Sequence, residues 1–182
     1  MFQELLADVS ADARRAGNII HGIHHFVRKS TGARRPVDLN EIVREVLRLL
    51  HSDLLGRGTT VETELAPSLP PVEADPVQLQ QVLLNLLMNS LEAMQQTPAP
   101  LRRILISTVA DDGFVQVSVR DYGIGLPAED PERIFSHFFS TKPTGMGMGL
   151  TIVRSIVEAY GGELGAENAE GGARVSFRLP AA

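Results

Sequence analysis

The segment from Asp75 to Gln96 constrains the fold more than any other. Asp75-Pro76 opens a helix, since an aspartate side chain can accept from the first free N–H groups and proline belongs at the first helical position. That helix runs to about Gln96. Within it, Gln81-Val82-Leu83-Leu84-Asn85-Leu86-Leu87-Met88-Asn89-Ser90-Leu91-Glu92-Ala93 is mostly apolar, with two asparagines four residues apart and so on one face. Apolar surroundings put these amides at the edge of a core, and buried amides need partners.

The other elements arrange themselves around this helix. Asp38 or Asn40 can cap a helix to about Leu55 carrying Ile42, Val43, Val46, Leu47, Leu49 and Leu50. Thr59 to Leu65 alternates like a strand, and Pro67, Pro70 and Pro71 break the chain. Ile104–Val109 and Phe114–Arg120 pair around the Asp111-Asp112-Gly113 turn. A stretch rich in Gly, Pro and Ser/Thr runs from Asp121 to Gly147. A helix then covers about Met148 to Tyr160, stopped by Gly161-Gly162, and strands follow at Glu163–Glu167 and Arg174–Leu179. The pattern predicts an α+β fold, a two-layer α/β sandwich with helices on one sheet face, over residues 37–182.

Residues 1–30 read as a separate helix. Phe2, Leu6, Val9, Ala13, Ala16, Ile20, Ile23 and Val27 step by four and three, a heptad seam, and Leu5, Ile19 and Phe26 widen it. One such helix needs partner helices, from a second copy of the chain, unless it lies as an ordinary amphipathic helix on its own domain. Residues 31–36, with Gly32 and Pro36, read as a linker. Charge divides the same way. Residues 1–35 hold six of the 17 Lys/Arg and three of the 22 Asp/Glu, leaving eleven against nineteen for the rest.

Composition excludes several classes. A net charge of −5 gives no reason to expect nucleic-acid binding, and zero cysteines exclude disulfides and thiolate zinc sites. That fits a cytoplasmic protein. No apolar run approaches the length that spans a bilayer, and no signal peptide is expected.

Four clusters carry chemistry. Asn85 and Asn89 are satisfied either by neighbouring backbone or by a hydrated Mg²⁺ with phosphate oxygens, an amide carbonyl being a hard oxygen ligand. Asp121-Tyr122-Gly123-Ile124-Gly125 sets a carboxylate at a strand end, able to accept from an exocyclic amine, beside glycines that let backbone approach a flat ligand; many hairpins share this pattern. Gly145-Met146-Gly147-Met148-Gly149-Leu150 feeds glycines into a helix N-terminus, where free N–H groups and the helix dipole favour phosphate. Phe135-Ser136-His137-Phe138-Phe139-Ser140-Thr141-Lys142 is either an anchor for a mobile lid or a small hydrophobic patch, and Lys142 either reaches phosphate or is solvated.

In this order and spacing the four resemble the N, G1, F and G2 boxes of sensor histidine kinases, within the GHKL ATPase superfamily shared with gyrase and the mismatch-repair ATPases. Gly161-Gly162 and Gly171-Gly172-Ala173 resemble the final glycine-bearing hairpin of that family. Ser140 through Leu150, with Arg154-Ser155-Ile156-Val157-Glu158-Ala159, is most similar to PAS-linked kinases of the nitrogen-fixation and aromatic-sensing type. The resemblance implies the Bergerat ATPase fold and ATP with Mg²⁺ as cofactors. It implies that Asn89 holds Mg²⁺, that Asn85 acts near the phosphates, and that Asp121 reads the adenine amine. Gly123 and Gly125 would line the base pocket, and Gly145, Gly147, Gly149 and Leu150 the lid end beside the phosphates. Where many members carry lysine three residues after the second asparagine, this chain has Glu92, so Lys142 is expected to supply the charge.

The family phosphorylates a histidine usually followed by an acidic residue. None of His21, His24, His25, His51 and His137 is followed by Glu or Asp. Residues 1–30 resemble the second helix of the phosphoacceptor hairpin, so the acceptor helix is expected to lie outside this chain, which then looks truncated. The implied partners are that acceptor helix, a response-regulator receiver domain and a second copy of the full-length protein. The alternatives are a non-catalytic nucleotide-binding regulatory module, a superfamily ATPase or anti-sigma type serine kinase, and a purely structural dimerisation protein. The heptad helix and the polar residues of the boxes argue against them.

Overall fold

The computed structural model describes residues 33–136 and 149–182. The helix expected over residues 1–30 lies outside them. The described elements run β1 (Arg35–Val37), α1 (Leu39–Gly56), β2 (Thr60–Glu64), β3 (Val72–Ala74), α2 (Pro76–Ala93), β4 (Arg103–Asp111), β5 (Phe114–Asp121), α3 (Gly149–Ala159), β6 (Glu163–Ala169) and β7 (Gly172–Pro180). Single 3-10 turns occupy Ala99–Leu101 and Pro131–Phe135.

Five strands form the main sheet in the order β2-β4-β5-β7-β6, with β2 parallel to β4 and the other pairs antiparallel. Side chains alternate across it, as the strand period requires. Ile104 and Ile106, Val115, Val117 and Val119, and Phe177 and Leu179 are buried. Register sets Ile106 opposite Val119 and Val117 opposite Phe177. Among the alternate positions, Ser107, Ser118 and Ser176 form one cross-strand row. Arg174 pairs with Glu167 and Arg178 with Glu163 across β6 and β7.

The helices close the core. α1 buries Ile42, Val43, Val46, Leu50 and Leu54; α2 buries Leu79, Val82, Leu83, Leu86, Leu87 and Leu91; α3 buries Val153, Ile156 and Val157. These and the sheet's apolar face make one cluster. It is the expected two-layer α/β sandwich.

Local chemistry explains the boundaries. Asp38 caps α1 by accepting the Asn40 N–H at 2.8 Å. Asn40 has a different job: its Nδ2 donates to the Ala66 carbonyl at 2.9 Å, and its Oδ1 accepts from Thr108 Oγ1 at 2.8 Å, tying α1 to β4. Asp75 caps α2 by accepting the Val77 N–H, with Pro76 next. The β4–β5 turn uses positive φ at Asp112 and Gly113, the geometry that suits the twist of a hairpin. Gly161, at φ +70°, ends α3.

Two expectations need correction. Arg35 and Pro36, read as linker, belong to β1, which pairs antiparallel with β3. A three-residue strand is too short to show a period, and proline is tolerated at an edge. α2 stops at Ala93, not near Gln96. Beyond it the Ala93 carbonyl takes the Ile124 N–H, and the Arg102 guanidinium gathers the carbonyls of Gln95, Thr97 and Arg57. Those distant donors replace the intrahelical bonds that would have carried the helix on.

Candidate nucleotide site

The α2 helix forms one wall. Asn85, Asn89 and Ala93 succeed one another at four-residue steps, a ridge about 12 Å long at the helical rise. α3 begins against the Asn85 end. A Cβ on Gly149 would stand 3.3 Å from Asn85 Oδ1 and 4.0 Å from Asn89 Nδ2. The two asparagines and the glycine-led helix start, 60 and 64 residues apart in sequence, therefore meet. Leu150, next on α3, is half-buried and packs against the core.

The two amides are held differently. Asn85 Nδ2 donates to the Gln81 carbonyl at 3.0 Å, which leaves its Oδ1 to face Gly149. Asn89 Nδ2 is buried with no hydrogen-bond partner among the described residues. A buried donor left unpaired costs about 1–3 kcal/mol, so its position calls for a ligand.

Asp121 lies at the other end of the ridge. It continues the inward face of β5 two residues after Val119, so strand alternation turns its carboxylate into the core side, where it is 5% exposed. Its Oδ1 accepts the Gly123 N–H at 2.9 Å. Burial pushes the carboxyl above its ordinary 3.8, while hydrogen bonds from the backbone of Gly123 and Ala173 pull it back.

The chain after Asp121 is pressed onto α2. A Cβ on Gly123 would meet the Ala93 carbonyl oxygen at 2.5 Å, and the Ile124 N–H bonds that same oxygen at 3.2 Å. Gly125 takes φ +74° against Asn168 on β6. Asn168 then grips the loop from both sides of one residue: Oδ1 accepts the Leu126 N–H at 2.7 Å and Nδ2 donates to the Leu126 carbonyl at 3.2 Å. Asn168 was invisible as a site residue, because an asparagine near a strand end signals only a turn. Gly172 matters for a similar reason. A Cβ there would overlap the Asp121 carbonyl, so only glycine lets β7 approach the carboxylate's own backbone.

Lys142, Gly145 and Gly147 lie outside the described residues, as does His137. Phe135 is buried and its 3-10 turn packs against α3 and β6, which makes it a core anchor at the start of that stretch. His51 sits on an exposed position of α1.

The donor set suits a nucleotide with a hard cation. Among the described residues no three His, Asp or Glu side chains converge to bind a metal. A cation beside Asn89 would thus draw on amide oxygen, phosphate and water, a mixture that suits Mg²⁺. The unpaired Asn89 amide fits such a group in either orientation, presenting oxygen to a cation or N–H to phosphate. Carboxylate and amides sit toward opposite ends of one ridge.

Comparison with known proteins identifies the family. Residues 74–182 match the family described as histidine kinase-, DNA gyrase B-, and HSP90-like ATPase. The chain is 40% identical over 183 residues to the sensor protein FixL of Bradyrhizobium diazoefficiens, covering 99% of this chain and 36% of that protein. It is 38% identical over 169 residues to the sensor protein TdiS of Thauera aromatica, covering 91% and 31%. It thus spans about a third of the length of these curated relatives. Among solved structures, the catalytic domain of histidine kinase ThkA superposes with a TM-score of 0.73 at 36% identity, over 81% of this chain and 95% of that one. Full-length ShkA in complex with AMPPNP gives 0.77 at 27%, over 99% and 39%. ThkA in complex with the response regulator TrrA gives 0.76 at 30%, over 96% and 49%. With its site geometry and this match over more than half its length, the chain belongs to the histidine kinase-, DNA gyrase B- and HSP90-like ATPase family, as the ATPase domain of the sensor histidine kinase kind.

Proposed function

We propose that this chain holds ATP and Mg²⁺ and presents the γ-phosphate to a histidine on a phosphoacceptor helix outside the chain, for relay to a response-regulator receiver domain. The observation that carries this is the Asn85–Asn89–Ala93 ridge, bounded by Gly149 at one end and the Asp121 loop at the other. The solved relatives complexed with AMPPNP and with a response regulator support the nucleotide and the downstream partner.

Each residue's part follows from its position. Asp121 accepts from the adenine amine, in a buried place where a neutral exocyclic amine meets little competition from water. Gly123 and Gly125 let the loop after Asp121 close against Ala93 and Asn168, and that loop lines the base pocket. Asn89 and Asn85 orient the phosphate end, and the first N–H groups of α3 at Gly149 and Leu150 favour its negative charge. Bound Mg²⁺ would neutralise charge on the phosphate oxygens. Beyond that, this chemistry asks the protein for positioning and electrostatics. Lys142, Gly145 and Gly147 complete the phosphate end in this proposal, with Lys142 offsetting the absence of a lysine at Glu92. Residues 1–30 serve as one helix of the dimerisation bundle, joined through residues 31–34 to the ATP-binding domain, in a homodimeric full-length protein.

The test is titration of an ATP analogue with and without Mg²⁺, followed by transfer of labelled phosphate to a supplied acceptor hairpin. Binding that depends on Mg²⁺ and a labelled histidine support the proposal. Phosphate release with no labelled hairpin would favour a plain ATPase, and binding with neither a regulatory module. If K142A leaves both affinity and transfer unchanged, the role given to Lys142 is wrong.

A further inference from the structure

The chain entering the domain is fastened to the far ends of the two site helices. Arg34 Nη2 donates to the Ala159 carbonyl, the last residue of α3, at 3.0 Å. The same guanidinium lies 4.8 Å from the centre of the Tyr160 ring. A cation at a helix C-terminus meets both free carbonyls and the negative end of the dipole. Tyr160 carries the connection across. Its hydroxyl donates to Gln78 Oε1 at 2.5 Å and accepts the Asp75 N–H at 3.0 Å, both at the start of α2. Arg34, the end of α3 and the start of α2 therefore form one bonded group.

The opposite ends of the same helices make the nucleotide site. α3 has 11 residues, about 16 Å at the helical rise, and its first residue, Gly149, meets Asn85. The two helices run antiparallel, fastened at one end and ligand-bearing at the other. α3 is short, and its N-terminal N–H groups have no intrahelical partner, so its orientation depends on packing and on what fixes its far end.

We propose that Arg34 and Tyr160 are positioning residues for nucleotide binding: they staple α3 to α2 and to the incoming chain, and so set the approach of Gly149 to Asn85. This rests on the nucleotide reading of that site. It also makes Arg34, two residues before Pro36, the point at which pull on the incoming chain is felt by α3.

The 182-residue chain tests this directly with R34A, R34K and Y160F. Backbone amide exchange is followed at Val153, whose N–H closes the first turn of α3 onto Gly149, and at Val117 in the sheet centre. Affinity for a Mg²⁺–ATP analogue is measured in parallel. R34A and Y160F should speed exchange at Val153 while Val117 stays protected, and weaken the analogue roughly three- to tenfold, the range a remote coupled residue commands. R34K, which keeps a donor for the Ala159 carbonyl, should recover part of both effects. Unchanged exchange at Val153, or loss at Val153 and Val117 together, overturns the staple. If the unmodified chain fails to bind the analogue, the nucleotide reading falls, and exchange at Val153 still decides the staple.

Discussion

Gly172 passes so close to the carbonyl of Asp121 that no side chain fits between them. β7 thereby reaches the backbone beside the buried carboxylate, and Ala173 adds a backbone hydrogen bond to it. G172A must push β5 and β7 apart at that point. It should cost about 1–3 kcal/mol of stability, the usual penalty for overpacking, and weaken adenine nucleotide binding as Asp121 shifts. Urea denaturation with an analogue titration checks both.

Asp121 itself separates binding from folding. D121N keeps an oxygen that can accept the Gly123 N–H and removes a buried charge, so stability should be little changed. The bond to the adenine amine loses its charged acceptor, worth about 1.5–3 kcal/mol, and affinity should drop by about tenfold or more. Unaltered affinity would count heavily against the pocket assignment.

The raised Asp121 carboxyl also fixes a sign for pH. The folded state holds this proton more tightly than the unfolded chain, whose value is the ordinary 3.8. Its stabilising share is therefore complete below 3.8 and is lost as pH rises through the higher native value. Analogue affinity runs the other way, falling as acid protonates the carboxylate that accepts the adenine amine. Denaturation curves across that window should show D121N lacking this component of the slope; an identical slope in both proteins would contradict it.

Asn89 should show a trade between stability and function. N89L removes the unpaired buried N–H, so stability should hold or rise by about 1 kcal/mol. The Mg²⁺-dependent part of analogue affinity should disappear. Calorimetric melting and titration in the presence of Mg²⁺ or EDTA measure the two effects.

Asn168 provides a control on the loop. N168A removes both hydrogen bonds to Leu126 and the support under Gly125. Stability should fall by about 1–2 kcal/mol, and analogue affinity several-fold without loss of Mg²⁺ dependence. A change in Mg²⁺ dependence would mean that this clamp reaches the phosphate end.

Much of this was legible from residue types. The caps at Asp38 and Asp75, the Asp111–Gly113 turn and the glycine stop at Gly161 declare themselves through local chemistry, within a few residues of where they act. The Asn85–Asn89 pair and Asp121 stood out as polar groups where an apolar pattern gave no local reason for them. Asn168 and Gly172 could not be found that way, because each acts on a segment more than 40 residues away and neither changes its own strand's pattern. β1 was missed for a related reason: its partner is β3, and pairing between distant short strands leaves no period in either.

The sequence by itself therefore determined the elements, their caps and which polar residues had no local use, since these depend on neighbours within a turn or two of helix. The tertiary structure decided that α2 ends at Ala93 under the Ile124 N–H, that Gly149 meets Asn85, and that Gly172 admits β7 to Asp121. Those are contacts between parts of the chain far apart in sequence, and they exist only once packing against one core has brought the backbones within hydrogen-bonding and van der Waals reach.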